Sequence, residues 1–253
     1  ADFTPTQIGN FTNTQLTALT TTSLNALDTT QLGGLTTTQI AALNTTNLSA
    51  FDATQVSNLN ATQIGGLTVT QLKGISATDF AEFTDTQIAG FTSTQLGALS
   101  ATNFGSLDAT ALSGLTTTQL KGVTATQIGG LDATDISELG DTQVGAFSST
   151  QLAALGATNF SALADTQIAA LSTAQLGDVT TTVLTVLSVP AIGEFADTQI
   201  AAFSSTQLGV LSATNFSALD QTAISGLSTT QLKGITTTQL AGTGATALAD
   251  FTP

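Results

Sequence analysis

"SSTQLAALGATNFSALADTQIAAL", residues 148–171, holds three blocks of eight residues that say nearly the same thing. Read outward in this register, the chain divides into 31 octads from Thr4 to Phe251 with no insertion or deletion, on the consensus T-x-T-Q-L-x-A/G-L. The fifth column, Ile8 through Leu248, is apolar in all 31 copies, and the eighth, Phe11 through Phe251, in 30, Thr243 being the exception. These two columns form the expected core. Internal repetition at a fixed short period is the mark of a solenoid, in which each unit buries its apolar face only against its neighbours.

The other columns decide between helix and strand. The first is Thr, Ser, Asp or Asn in 26 copies, with Gly at 140, 156 and 244 and Ala at 164 and 196. Those residues favour a helix N-cap, because a short side-chain oxygen there accepts from an otherwise unpaired backbone N–H. Three residues on, the fourth column is Gln in 19 copies, which is the spacing of a capping box. The apolar eighth residue of one octad and the fifth of the next flank that cap as a hydrophobic staple does. Proline agrees: Pro5 and Pro253 directly follow a cap Thr and Pro190 stands one place further, all in the first turn, where proline is tolerated. Gly and Ala crowd the sixth and seventh columns, as in "IGGL" at 64–67, where a short helix is expected to end.

Each octad therefore predicts one helix of about one and a half turns. A single continuous helix would overshoot two turns by about 80° per octad, and its apolar stripe would wind around the rod. The expected fold is an all-α solenoid of about 31 very short capped helices. A β-solenoid is the alternative, suggested by the T-x-T alternation of the first and third columns, as at Thr36/Thr38 and Thr116/Thr118.

A longer period overlies the octad. "SATNFGSL" (100–107), "GATNFSAL" (156–163) and "SATNFSAL" (212–219) recur at every seventh octad, and "NTTNLSAF" (44–51) lies on the same grid. Residues 1–253 are accordingly read as one array whose octads group into units 28–83, 84–139, 140–195 and 196–251. Either a seven-octad segment was duplicated or seven octads close a whole number of superhelical turns.

Composition narrows the function. The chain has no Cys, Met, Trp, Tyr or His, and carries 17 acids against three basic residues, Lys73, Lys121 and Lys233, for a net charge of -14. That balance opposes attraction to nucleic acid, and no apolar run approaches the roughly 20 residues of a membrane span. Without His, no Ser has a base to activate it, and no G-x-S-x-G elbow occurs; the expectation is a protein without catalysis or cofactor. The three lysines all stand in "QLKG" and read as solvated face residues. Asp28, Asp52, Asp108, Asp132 and Asp220 read as helix caps. Asp79 with Glu82, and Asp135 with Glu138, are weak candidates for paired carboxylates on a calcium ion, though nothing matches a calcium-binding loop. Phe104, Phe160 and Phe216 read as filling wider gaps in the core.

Thr occupies the third column in 29 of 31 copies, which capping leaves unexplained. Hydrogen bonding between adjacent coils is the expected role, with an outward Thr array for ice, O-glycans or a neighbouring rod as the sharper one. Asn44, Asn47, Asn60, Asn159 and Asn215 begin N-x-S/T triplets, the acceptor pattern for glycans.

Octads such as "LTTTQIAAL" (35–43) resemble the L-T-x-x-Q-[LI]-x-x-L octapeptide repeats of exported bacterial surface and adhesin-like proteins. The resemblance implies a structural role in an extracellular fibre, filament or surface stalk. Here Thr often replaces the Pro or Ala common just after the cap in such repeats. The opening "ADFTPTQIGN", without an initiator Met, reads as a processed product, and "ADFTP" at 249–253 restates residues 1–5, which suggests self-association end to end. Glycans and calcium are the other expected partners, and the cell surface or extracellular space the expected location.

Overall fold

The computed structural model describes residues 3–243. The last octad, with Gly244, the repeated "ADFTP" and Pro253, lies outside them. Among the described residues, thirty helices of four to six residues, α1 (Pro5–Gly9) to α30 (Thr237–Gly242), stand one per octad, so that αn lies in the nth octad. No strand occurs among the described residues, so the solenoid is helical. The chain forms two compact units, residues 1–130 and 131–253, each built in the same way.

Most helices begin as the octad predicts, Thr180 being a cap residue whose hydroxyl makes no cap bond. In α15 (Thr117–Leu120) the cap Thr116 is extended, its Oγ1 accepts the Gln119 N–H at 3.2 Å, and the Thr116 N–H donates to Gln119 Oε1 at 2.8 Å. Asp28, Asp52, Asp108, Asp132 and Asp220 all cap with their carboxylates. Where the first column lacks a side-chain oxygen, half of the box survives: Gly140, Ala164 and Ala196 still donate their N–H to Gln143, Gln167 and Gln199. Pro5 and Pro190 sit in the first turn of their helices. Gly156 departs from the pattern. Its φ of 67° is the one left-handed backbone among the described residues, and it lets α20 (Gly156–Phe160) start directly behind α19 (Ser149–Ala154) with a helical Leu155 between them.

Within each unit a helix packs against the third one on: α1 against α4 (Thr29–Leu32) and α12 (Ser93–Ala98) against α15 in the first, α18 (Asp141–Gly145) against α21 (Asp165–Ala169) in the second. The Gln side chains reach one octad further. Gln127 Nε2 donates to the carbonyls of Leu96 at 2.7 Å and Leu99 at 2.9 Å, which lie 31 and 28 residues earlier. Gln39, Gln63, Gln71, Gln87 and Gln95 do the same in the first unit, and Gln167, Gln199, Gln207 and Gln239 in the second. A helix thus sits over the seam between its third and fourth predecessors, and a coil closes every 28 residues, or three and a half octads. Two coils make seven octads, the interval at which the "ATNF" blocks recur.

This bridge changes the reading of two columns. Gln is more than a capping partner: its oxygen serves the cap of its own helix while its nitrogen serves two carbonyls at the end of another, one of which, as at Leu96, also takes the N–H three residues on, so one buried amide serves both helix ends. Gly at the sixth and seventh positions does not end helices by a left-handed turn, since those glycines have ordinary negative φ. Several admit close backbone contact instead: a Cβ on Gly34 would stand 2.2 Å from the Pro5 oxygen, and one on Gly122 2.2 Å from the Ser93 oxygen.

The fifth and eighth columns form the core. Leu96, Phe104, Leu112 and Leu120 in the first unit, and Ile136, Phe160, Leu176 and Phe216 in the second, are fully buried. In the "ATNF" octads the shorter Asn reaches only the carbonyl 28 residues back, Asn103 to Ile75, Asn159 to Leu131 and Asn215 to Leu187, while Phe supplies the added volume beside it.

Candidate functional site

The four candidate carboxylates are placed differently by their octads. Asp79 lies near the N-terminus of α10 (Ala77–Phe80), where its N–H is capped by Ser76 Oγ at 3.1 Å. Being an acceptor only, it cannot make the bridge that Gln makes, and the polarity reverses: Ser49 Oγ donates to Asp79 Oδ2 at 2.6 Å from the neighbouring coil. Glu82 follows in the same octad, half-buried, with Oε2 enclosed and unpartnered. Burial, then the charges of Asp79 and Asp52, push its carboxyl above the usual range. In the second unit Asp135 turns back to its own cap, its Oδ2 accepting the Asp132 N–H at 2.8 Å, while Asp132 Oδ1 takes the N–H of Thr134 and of Asp135. Glu138 closes that helix, half-buried. Among the described residues no three His, Cys, Asp or Glu side chains gather in a metal-holding group.

The raised Glu82 carboxyl carries a signed prediction. A carboxyl that binds its proton more tightly folded than unfolded favours the folded state as pH falls from the folded value towards the ordinary Glu value of 4.5, and loses that contribution as pH rises through the folded value. Glu82→Gln is therefore expected to raise the thermal midpoint at pH 7 and to narrow its gain over wild type on acidification towards pH 4.5, measured by calorimetry at both pH values.

The third column presents a repeated surface of hydroxyls. Every described third position is exposed, from Thr6 to Thr238. The expected bonding of these hydroxyls between coils is thereby overturned, because the Gln amides hold that place. Thr166, whose Oγ1 donates to Asp141 Oδ1 at 2.8 Å across 25 residues, is an isolated instance of it. Two hydroxyls of one octad separate the roles. Thr116→Ala removes a cap and is expected to cost about 1 kcal/mol, whereas Thr118→Ala, two residues on, should change stability by less than about 0.5 kcal/mol; urea denaturation of the two variants checks the difference.

Lys73, Lys121 and Lys233 are exposed, as the sequence implies. Of the Asn triplets, Asn47, Asn159 and Asn215 are buried and Asn44 and Asn60 are exposed helix caps. A further triplet, Asn10-Phe11-Thr12, presents an exposed Asn10 behind α1. No helix among the described residues is long and apolar enough to cross a membrane.

Compared with known families, residues 8–45 match the model of the ALTTAQ repeat. The matched stretch covers octads whose capping boxes, apolar pairs and Gln39 bridge are those just described, and it supports a repeat protein. No curated protein matches the chain.

Proposed function

We propose that this chain is a non-enzymatic structural segment of a bacterial extracellular fibre, filament or surface stalk, in which stacked octads supply length and stiffness. The observation that carries the reading is the repeated amide bridge between coils. Each coil offers Gln N–H donors along one edge and helix-end carbonyls along the other, so the two edges are complementary and an array grows by adding coils. An isolated octad has nothing against which to bury its two apolar columns, and neighbouring coils must supply that surface. The resemblance to exported octapeptide-repeat proteins supports a cell-surface or extracellular location.

Negative-stain imaging and sedimentation of the purified chain across a concentration series test self-association. Uniform rods that lengthen with concentration are the expected result. Particles of constant size over the series would remove the filament reading. Antibody labelling of intact source cells tests the location, which fails if label appears only after lysis.

A second reading is favoured by the outward Thr column: a binding or glycan-bearing surface. With three and a half octads per coil, successive third-position hydroxyls are turned by about 100° around the axis, as the 28-residue bridges require. They spread around the solenoid instead of forming one flat ladder. Attached O-glycans suit that distribution better than an ice plane, and an ice recrystallisation assay is expected to show no inhibition.

A further inference from the structure

Alanine interrupts the fourth column at several octads, and at two of them, Ala111 in the first unit and Ala223 in the second, a cavity opens. The two stand at the same place in the seven-octad grid, two of its periods apart. By the 28- and 31-residue rule of the Gln bridges, a Gln at 111 would donate to the Phe83 and Phe80 carbonyls. With Ala there, that donor is missing. The Phe83 carbonyl receives none from the described residues, while Phe80's keeps its bond from the Phe83 N–H at 3.2 Å. The space is left open as well. A cavity of about 240 Å³ is lined there by Phe80, Phe83, Asp85, Ile88, Asp108 and Ala111. In the second unit a smaller cavity, of about 90 Å³, is lined by Ile192, Phe195, Asp197, Ile200, Asp220 and Ala223, the grid equivalents of those residues. The same feature, with both aspartates kept, is thus built once in each unit.

The charge of the lining is one-sided. Phe, Ile and Leu side chains form its walls, and its charged groups are the carboxylates of an Asp at the first helical position (Asp85, Asp197) and of a cap Asp (Asp108, Asp220), beside the Phe83 and Phe195 residues whose carbonyls lack the bridge; the absent amide oxygen also leaves the Asp108 and Asp220 N–H without the acceptor that Gln119 gives Thr116. Ser106, on the rim of the larger cavity, already gives its hydroxyl proton to the Asn103 carbonyl at 2.9 Å. The cap carboxylates each take one backbone N–H, that of Ala111 at 2.9 Å and of Ala223 at 2.8 Å, and retain further lone pairs. A group that replaces the missing amide must bring N–H donors, is favoured by positive charge, and must carry an apolar stem to cover the walls.

We propose that the cavities left by Ala111 and Ala223 bind a primary ammonium group on a short alkyl stem, the ammonium taking the place of the absent Gln amide between the stranded carbonyl and the two aspartates. A free alkylamine and a lysine side chain of another protein share that chemistry. The larger cavity is the stronger site, because its volume of about 240 Å³ against about 90 Å³ covers more of the alkyl stem.

The test is titration of the ¹⁵N-labelled full chain with n-propylammonium chloride, and separately with Nα-acetyl-lysine methylamide, in about 0.15 M salt to screen the general attraction of an acidic protein. Saturable shifts at the Ala111 amide in the millimolar range are expected, weaker at Ala223, absent with n-propanol, and lost in Ala111→Gln/Ala223→Gln, which should raise the thermal midpoint by restoring the bridge. Tighter binding of the lysine derivative would assign a protein partner, and tighter binding of propylammonium a free amine. No saturation through the millimolar range, equal shifts with n-propanol, or shifts that persist in the double variant would each overturn the proposal.

Discussion

Replacing Gln127 by Leu is expected to cost about 3 kcal/mol, although the two side chains are close in volume. Gln127 is 1% exposed and satisfies three backbone groups: its Oε1 accepts the Thr124 N–H at 2.7 Å, and its Nε2 donates to the Leu96 and Leu99 carbonyls at 2.7 and 2.9 Å. Leucine fills the space and strands two of them, the Thr124 N–H and the Leu99 carbonyl, since the Leu96 carbonyl keeps its bond from the Leu99 N–H at 3.1 Å; the cost is about 1–3 kcal/mol for each buried group left unpaired, partly offset by the added apolar burial. Gln15→Leu is the control. Gln15 is exposed and meets only its own cap, accepting the Thr12 N–H at 2.9 Å, so its loss should cost no more than about 1 kcal/mol. Repeat arrays open in parts; hydrogen exchange resolved by residue is the measurement, with lost protection expected on both coils that Gln127 joins. Equal losses in the two variants would reduce the bridge to a helix cap.

Gly122→Ala is the second substitution with a large expected effect. Its new Cβ would meet the Ser93 oxygen at 2.2 Å and the Ser93 carbonyl carbon at 2.5 Å. Both are backbone atoms, held by α12 packed on α15, so the helices must separate. Overpacking of this kind costs about 1–3 kcal/mol, against the gain of up to about 1 kcal/mol that Ala for Gly brings at an unstrained helical position. Gly65→Ala, at the end of α8 (Ala61–Gly65), meets nothing within 4 Å and should show that gain alone. Urea denaturation of the pair is expected to move the midpoints in opposite directions.

The octad, its caps and its core were legible in the sequence because each rests on neighbours in the chain. Thr116 and Gln119 stand one helical turn from each other, and Leu120 and Val123 show their burial by recurring. The coil of three and a half octads was not, because the partners of the Gln nitrogen are backbone carbonyls. Leu96 and Leu99 offer the same oxygen whatever their side chains, so the bridge leaves no complementary residue type to find. A signal did exist in the seven-octad grid, which is two coils, and in the pairing of a shortened Asn103 with an enlarged Phe104. The Gly column was misread for a related reason: a glycine that admits a neighbouring coil has the same letter as one that ends a helix. The third-column Thr was assigned between coils because a fixed hydroxyl suggested a fixed partner, whereas Gln119 occupies the interior and Thr118 the surface. Asp79 and Asp135 stand at equivalent places in the octad and part company in space, since Ser49 meets the first and the second returns to Asp132.

Closure of the coil after three and a half octads is the claim on which the bridges, the glycine contacts and the outward Thr surface all depend. The chain has no cysteine, so spin labels can be placed cleanly on exposed third positions. Double electron–electron resonance on two label pairs, Thr94→Cys/Thr118→Cys and Thr102→Cys/Thr118→Cys, decides it. The first pair is three octads apart, on helices in contact, and the second two octads apart, on opposite sides of one coil. The account predicts the shorter distance for the pair farther apart in sequence. Distances that rise with sequence separation, as along a continuous helix at about 1.5 Å per residue, would contradict it.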